Sequence, residues 1–264
     1  MGEKRIKSGC ACTRGIAVLL AVATIIVIGG LPAGTASGAA SASVRLERAG
    51  SFKTPAHKAN SAPPDIRRAM PSADVLIDAG HGGIDGGTHY GTILEKDINL
   101  AISRKLYLLL CSKGIAAVLN RTGDYALSEE NRWHATRSRH RRDLSQRSAL
   151  PNDIAASIFV SVHVNWSKRG NNRGPLVLHR KDGRSSLLAS FLQDSLNKQQ
   201  KARGAARDEG RFYVLNAVKA PSVIIETGFL SDARDREMLT NPRGQTRIAE
   251  AIANGIIAYR SFAP

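Results

Sequence analysis

The stretch "VLIDAGHGGIDGG", Val75 to Gly87, decides how the chain folds. Val75-Leu76-Ile77 is a short apolar run of the kind that forms a buried strand. The run stops at Ala79-Gly80, and His81 sits where the backbone leaves the sheet. Gly80, Gly82, Gly83, Gly86 and Gly87 let the chain turn tightly and leave space beside the imidazole. Two readings fit this stretch alone. One is a histidine displayed as a ligand or catalyst; the other is a glycine-rich turn with an incidental histidine.

Outward from this stretch, strands and helices alternate. "EKDINLAISRKLYLLLCSKG" places Ile98, Ile102, Leu106 and Leu109 at helical spacing, with Asp97 as the expected N-cap and Gly114 as the stop. Cys111 in this helix reads as core filler. "IAAVLNR" and "ASIFVSVHVN" read as the second and third strands and "PLVLH" as a fourth. "SSLLASFLQDSLNKQQ" is an amphipathic helix, "RFYVL" and "SVIIE" are further strands, and "QTRIAEAIANGIIAYRSF" closes the chain as a helix. Such alternation predicts an α/β domain over 74–264, a sheet with helices on both faces.

Three of these strands end on a residue suited to metal or acid/base chemistry: Val75–Ala79 at His81, Ile158–Val162 at His163, and Val223–Ile225 at Glu226. In an open α/β sheet, sites form beyond the carboxyl ends of the strands. Glu95 is a fourth candidate, expected just ahead of the first helix. There it is either a partner of the helix dipole or, if the loop returns to the same rim, a neighbour of His81. Two histidines and one carboxylate leave an open position on zinc, the pattern of catalytic sites. Glu226, after buried Val-Ile-Ile, suits the proton carrier that a hydrolase needs, and burial should raise its pKa.

The N-terminus bears on location. "MGEKRIKSGCACTR" is basic, "GIAVLLAVATIIVIGGL" is uncharged and mostly apolar, and "PAGTASGAASAS" is rich in small residues with Ala40-Ser41-Ala42 inside it. This is the order of an export signal. The competing reading is an uncleaved membrane anchor, since Gly15 to Leu31 is 17 residues long, near the lower limit for a span. Residues 1–42 are therefore an export signal or N-terminal anchor, and both put the remainder outside the cytoplasm. Residues 43–73 lack apolar periodicity, hold four prolines and read as a disordered basic linker. Cys10 and Cys12 precede the apolar segment, so Cys111 alone would be exported and no internal disulfide forms. The formal net charge is +16; residues 1–73 carry ten Lys/Arg against three Asp/Glu, and the remainder 28 against 19. The folded part is basic too, which favours an anionic partner.

"DAGHGGIDGG", "LEKDINL", "SVHVN" and "IIETGFLSD", in this order, resemble the zinc-dependent N-acetylmuramoyl-L-alanine amidases of the amidase-3 type. The resemblance covers about residues 74–262. It implies a single domain with a mixed, mainly parallel sheet, and one Zn2+ per chain held by His81, Glu95 and His163, with Glu226 as catalytic acid/base. It also implies cleavage of the amide between the lactyl group of N-acetylmuramic acid and L-alanine of the stem peptide. Trp166 stands where a small residue is usual, and Asp232 where asparagine is frequent; neither change removes a ligand. The export segment, bare catalytic domain and "HRRDLSQR" look like the germination-specific spore-cortex subtype.

Other polar residues have two readings each. Asp85 orients His81 or is a turn aspartate. Asn165 orients His163, touches substrate or caps its loop. Arg121 binds a peptide carboxylate or pairs with Asp124. His89, His134, His140 and His179 read as surface residues, and Arg147 as packing inward. The basic segment 132–147 has a nucleic-acid-like composition, but export argues against nucleic acid. A solvated helix face or an anionic wall polymer fits better. The expected partner is peptidoglycan, with membrane association through the N-terminal segment and an activator protein as open additions. The alternatives to the amidase are a zinc peptidase on wall peptides and a non-catalytic wall-binding protein.

Overall fold

The computed structural model describes residues 72–132, 134–168 and 172–263. The export segment and nearly all of the linker lie outside the described residues. In chain order the described elements are β1 (Val75–Ala79), β2 (His89–Tyr90), β3 (Ile93–Leu94), α1 (Glu95–Ser112), β4 (Ala117–Leu119), α2 (Arg139–Asp153), β5 (Ile158–Asn165), β6 (Leu176–His179), α3 (Gly183–Gln200), β7 (Arg207–Asp208), α4 (Tyr213–Ala217), β8 (Ser222–Phe229), α5 (Ala233–Thr240) and α6 (Pro242–Phe262). Six strands form one sheet in the order β4-β1-β5-β8-β6-β7. β4, β1, β5 and β8 run parallel, and β6 lies antiparallel to β8. The sheet is therefore mixed and mainly parallel, as expected.

Strand alternation sorts the side chains between two layers. Val75 and Ile77 of β1, Val160 and Val162 of β5, and Val223 and Ile225 of β8 pack with α1, α3 and α6 in one core. Leu76 and Phe159 point the other way, into a smaller core with Leu144 and Leu150 of α2 and Val214 of α4. Helices thus cover both faces.

Several local expectations change. α1 begins at Glu95 with Leu94 as N-cap, so Asp97 lies inside the first turn rather than capping it. The first amides of α1 need no side-chain cap because the preceding loop supplies carbonyls. Glu95 N–H donates to Thr88 O and Lys96 N–H to Gly86 O. At the other end, Gly114 takes φ 74° just past the helix, the stop expected of it. Cys111 is exposed, not core: Leu106 and Leu110 take the inward face. "RFYVL" forms no strand. Its Tyr213 to Leu215 belong to α4, which buries Val214 and Leu215 on consecutive positions, as a helix end does and an alternating strand does not. His179 is 8% exposed rather than a surface residue, because it ends β6 inside the sheet. The basic segment folds largely into α2, capped by Ser138, with Arg139, His140 and Arg141 exposed and Arg147 buried.

Arg147 meets Asp78 of β1 across the smaller layer at 2.6 Å, with side-chain exposures of 4% and 2%. Asp143 receives the other edge of the guanidinium at 2.5 Å, while Ser161 and Asn120 donate to Asp78. Burial pushes the Asp78 carboxyl up, but Arg147 and the Ser161 hydroxyl outweigh it, so the net shift is below the usual aspartate range. Breaking such a pair leaves one buried charge uncompensated. Arg147→Ala should destabilise the fold by roughly 3–5 kcal/mol in urea unfolding. The sign of the pH effect follows from the lowered pKa. The pair's contribution is whole above the unfolded-state value of about 3.9 and is lost as pH falls through the folded value. Parent stability should therefore drop on acidification below about pH 4, and Asp78→Asn should flatten that drop. An unchanged slope would show that the pair is not the acid-labile element.

Candidate active site

His81 follows β1 by two residues and adopts φ 62°, a left-handed conformation that side chains rarely take. The loop around it is tied down on all sides. Gly82 and Asp85 exchange backbone hydrogen bonds of 2.9 and 3.1 Å. Arg147 donates to the carbonyls of Ala79 at 2.9 Å and His81 at 2.6 Å. The imidazole Nδ1 lies 2.8 Å from Asp85 Oδ2, and Asp85 Oδ1 accepts from Gly87 N within the same loop.

The β2–β3 hairpin then brings the chain back to the same rim, so that Glu95, the first residue of α1, faces His81. Its carboxylate is buried at 4% exposure. Oε2 accepts from Thr88 N at 2.8 Å and Oε1 from Val164 N at 3.1 Å. His81 Nε2 is 3.2 Å and His163 Nδ1 3.0 Å from the same Oε1. Donor atoms of His81, Glu95 and His163 all lie within 4.8 Å of one another. Two glycines are demanded by this crowding. A Cβ on Gly80 would stand 2.4 Å from the His163 ring, and one on Gly87 2.5 Å from Glu95 Oε2.

Glu226 stands beside His163 in the β5–β8 register and shares its face of the sheet. Its Oε2 is buried without a hydrogen-bond partner among the described residues. Burial pushes the Glu226 carboxyl above the ordinary range; the two histidines oppose this and Glu95 adds to it. Glu95 behaves in the opposite sense. Burial alone would raise it, but His163 and His81 hold it well below the usual carboxylate range. Burial lowers the His81 imidazole, yet its bonds to Asp85 and Glu95 prevail and raise it to about 10 without a metal. His81, His163 and Glu226 line a cavity of ≈ 290 Å³ on the α2/α4 side, walled by Leu144, Phe212, Val214 and Ile224.

Two residues offered as substrate contacts have other partners. Arg121 is 1% exposed and spends its guanidinium on backbone carbonyls of Ala79, Gly80, Lys96 and Gly123. With its guanidinium buried and committed to these carbonyls, Arg121 braces the loop after β1 against α1 rather than reaching a peptide carboxylate. Asp124 pairs with Lys96 instead, at 2.7 Å. Asn165 accepts from Trp166 N at 2.7 Å and makes no bond to His163, the loop-cap reading. Asp232 caps α5 through Arg234 N and Asp235 N, a task that asparagine does equally well. His89, His134 and His140 are exposed, as expected. Sequence reasoning missed the grip of Arg147 on the His81 carbonyl. Its signal was Asp78, a lone acid in an apolar strand that needed a buried cation.

Residues 75–258 match the family described as N-acetylmuramoyl-L-alanine amidase. Over 193 residues the chain is 32% identical to the germination-specific N-acetylmuramoyl-L-alanine amidase of Bacillus subtilis (strain 168), covering 70% of this chain and 78% of that one. Among solved structures it is similar to the CwlD amidase of Clostridioides difficile, determined in complex with the GerS lipoprotein. That match has a TM-score of 0.68 and 34% identity over 72% of this chain and all of that one. An N-acetylmuramoyl-L-alanine amidase from Clostridium difficile 630 superposes with a TM-score of 0.63 at 32% identity, over 73% and 99% of the two chains. The chain belongs to the N-acetylmuramoyl-L-alanine amidase family and is an enzyme of that class.

Proposed function

We propose that this enzyme cleaves the amide joining the lactyl group of N-acetylmuramic acid to L-alanine of the stem peptide, with His81, Glu95 and His163 holding one zinc ion. The observation that carries the reading is the juxtaposition of these three donors with the unpartnered, buried oxygen of Glu226. A His/His/carboxylate set suits zinc and leaves a position open. Zinc bound there supplies a water of lowered pKa and polarises the amide carbonyl. The residues of the chain do the rest. Asp85 fixes the His81 ring through Nδ1 and frees Nε2 for the ion. The Glu226 carboxylate takes a proton from the attacking water and returns it to the nitrogen of the leaving L-alanine amine. The apolar wall beside Glu226 keeps its charge poorly solvated and its affinity for the proton high.

The basic, apolar, small-residue order of residues 1–42 supports export, as a cleaved signal or an anchor, with the linker at 43–73 leading into the catalytic domain. The germination-specific relative, with the resemblance of the sequence motifs to that subtype, favours spore-cortex peptidoglycan as substrate.

Digestion of purified peptidoglycan, followed by mass analysis, should yield free stem peptides beginning with L-alanine. Release should stop with chelator and return with zinc; cuts within the peptide would instead mark a peptidase. Glu226→Gln should retain the metal, measured by elemental analysis, while losing activity by about 10²–10⁴-fold. Normal turnover in that variant would remove Glu226 from its role. Asp85→Asn should weaken metal affinity by about 10–100-fold in competition with a chelator. Unchanged affinity would reduce Asp85 to a turn residue.

A further inference from the structure

We propose that a groove between α3, α5 and α6 is a second binding site, one that holds a linear phosphodiester polymer outside the catalytic cavity. Two adjoining cavities of ≈ 710 and 340 Å³ share Gln200, Lys201, Arg234 and Met238, so they form one continuous trough. Arg173, Lys201, Arg203, Arg234 and Arg247 line it, all exposed. None of the five is in a salt bridge among the described residues, whereas Lys96, Arg147, Arg180, Arg211 and Arg260 each have an acidic partner. The trough has two acids. Asp235 is turned inward, accepting from Gly174 N at 2.7 Å and Phe229 N at 2.8 Å. Glu237 alone is exposed. The N-terminus of the 21-residue α6 opens on the second cavity, with Asn241 and Gly244 in its lining, and adds the positive end of its dipole.

The surface selects among anionic partners. A protein partner wants an apolar centre, and this trough has few apolar side chains. Cations repeated along both cavities fit an anion repeated along a backbone, and guanidinium groups pair readily with phosphate. The position also fits. Gln200 donates to the carbonyl of Thr227, next to Glu226, so the trough borders the same end of β8. Glu226 faces the α2/α4 side, and the trough lies on the α3/α6 side, so a polymer held there leaves the catalytic cavity open. This site goes beyond the amidase reading, and binding is measured apart from cleavage, so either can fail alone.

The test uses the full-length chain and soluble poly(glycerol phosphate) as probe. The parent should bind, more weakly as salt rises, because binding a polyanion releases its counterions. Arg203→Glu with Arg234→Glu should weaken binding by roughly tenfold or more and flatten the salt dependence. The same reversal at exposed Arg139 and Arg141 on α2 should leave binding within about twofold, which separates a site from overall charge. Cleavage of a small soluble muramoyl-peptide should be unchanged in the Arg203/Arg234 variant. If that variant melts early, Arg203→Gln with Arg234→Gln replaces it, with a smaller loss expected in the same direction. Equal loss from both pairs, no binding by the parent, or equally tight binding of poly-L-glutamate would overturn the proposal.

Discussion

The contact between Asp78 and Arg147 is the constraint on which the rest of the site depends. An aspartate inside a central parallel strand is costly unless it is paired and hydrogen-bonded. Here Arg147 reaches from α2 to meet it, with Ser161 and Asn120 completing its shell. The same guanidinium then extends to the carbonyls of Ala79 and His81. One buried ion pair thereby fixes α2 on the sheet and holds the backbone of a histidine whose φ is positive. The left-handed turn is tolerated because its carbonyl is gripped and its neighbours are glycines.

Two carboxylates share the site, and their environments drive them apart. Glu95 sits between two imidazoles and two backbone amides and stays ionised. Glu226 lines a cavity together with Ile224, Phe212 and Val214, and burial pushes it towards its protonated form. The first environment suits a ligand, which must remain an anion. The second suits a proton carrier, which must gain and lose a proton in each cycle. Their positions follow from chain geometry: Glu95 opens a helix, and Glu226 continues a buried strand.

Much of this is legible in the sequence. The apolar runs at 75–77, 158–162 and 223–225 mark the three central strands, and each leads to a candidate site residue. The four ordered motifs carry the family and the candidate ligand set. What stays hidden depends on contacts between distant segments. Asp97 looks like a helix cap because a local reading cannot know that Thr88 and Gly86 supply the acceptors. Arg121 looks like a substrate residue because its four carbonyl partners come from three separate segments. "RFYVL" looks like a strand because short apolar runs do not distinguish a strand from a helical turn. Cys111 falls outside the core that its neighbour Leu110 enters, because one residue on a helix is a rotation of about 100°.

The same alternation that packs the sheet assigns the chemistry to one face. Residues 158, 160 and 162 of β5 enter the larger core, so 159, 161 and 163 face α2 and α4. In β8, 223 and 225 enter the core, and Glu226 falls on the face of His163. In β1, Asp78 takes that face as well, opposite Ser161. A slip of one residue in any of these strands would turn its polar group into the apolar layer. The register is therefore enforced by the core, not by the site. After His163 the pairing becomes irregular, and Asn165 stands opposite Phe229 rather than Gly228. Regular pairing ends where the chain stops packing a core and begins to form the rim of the cavity.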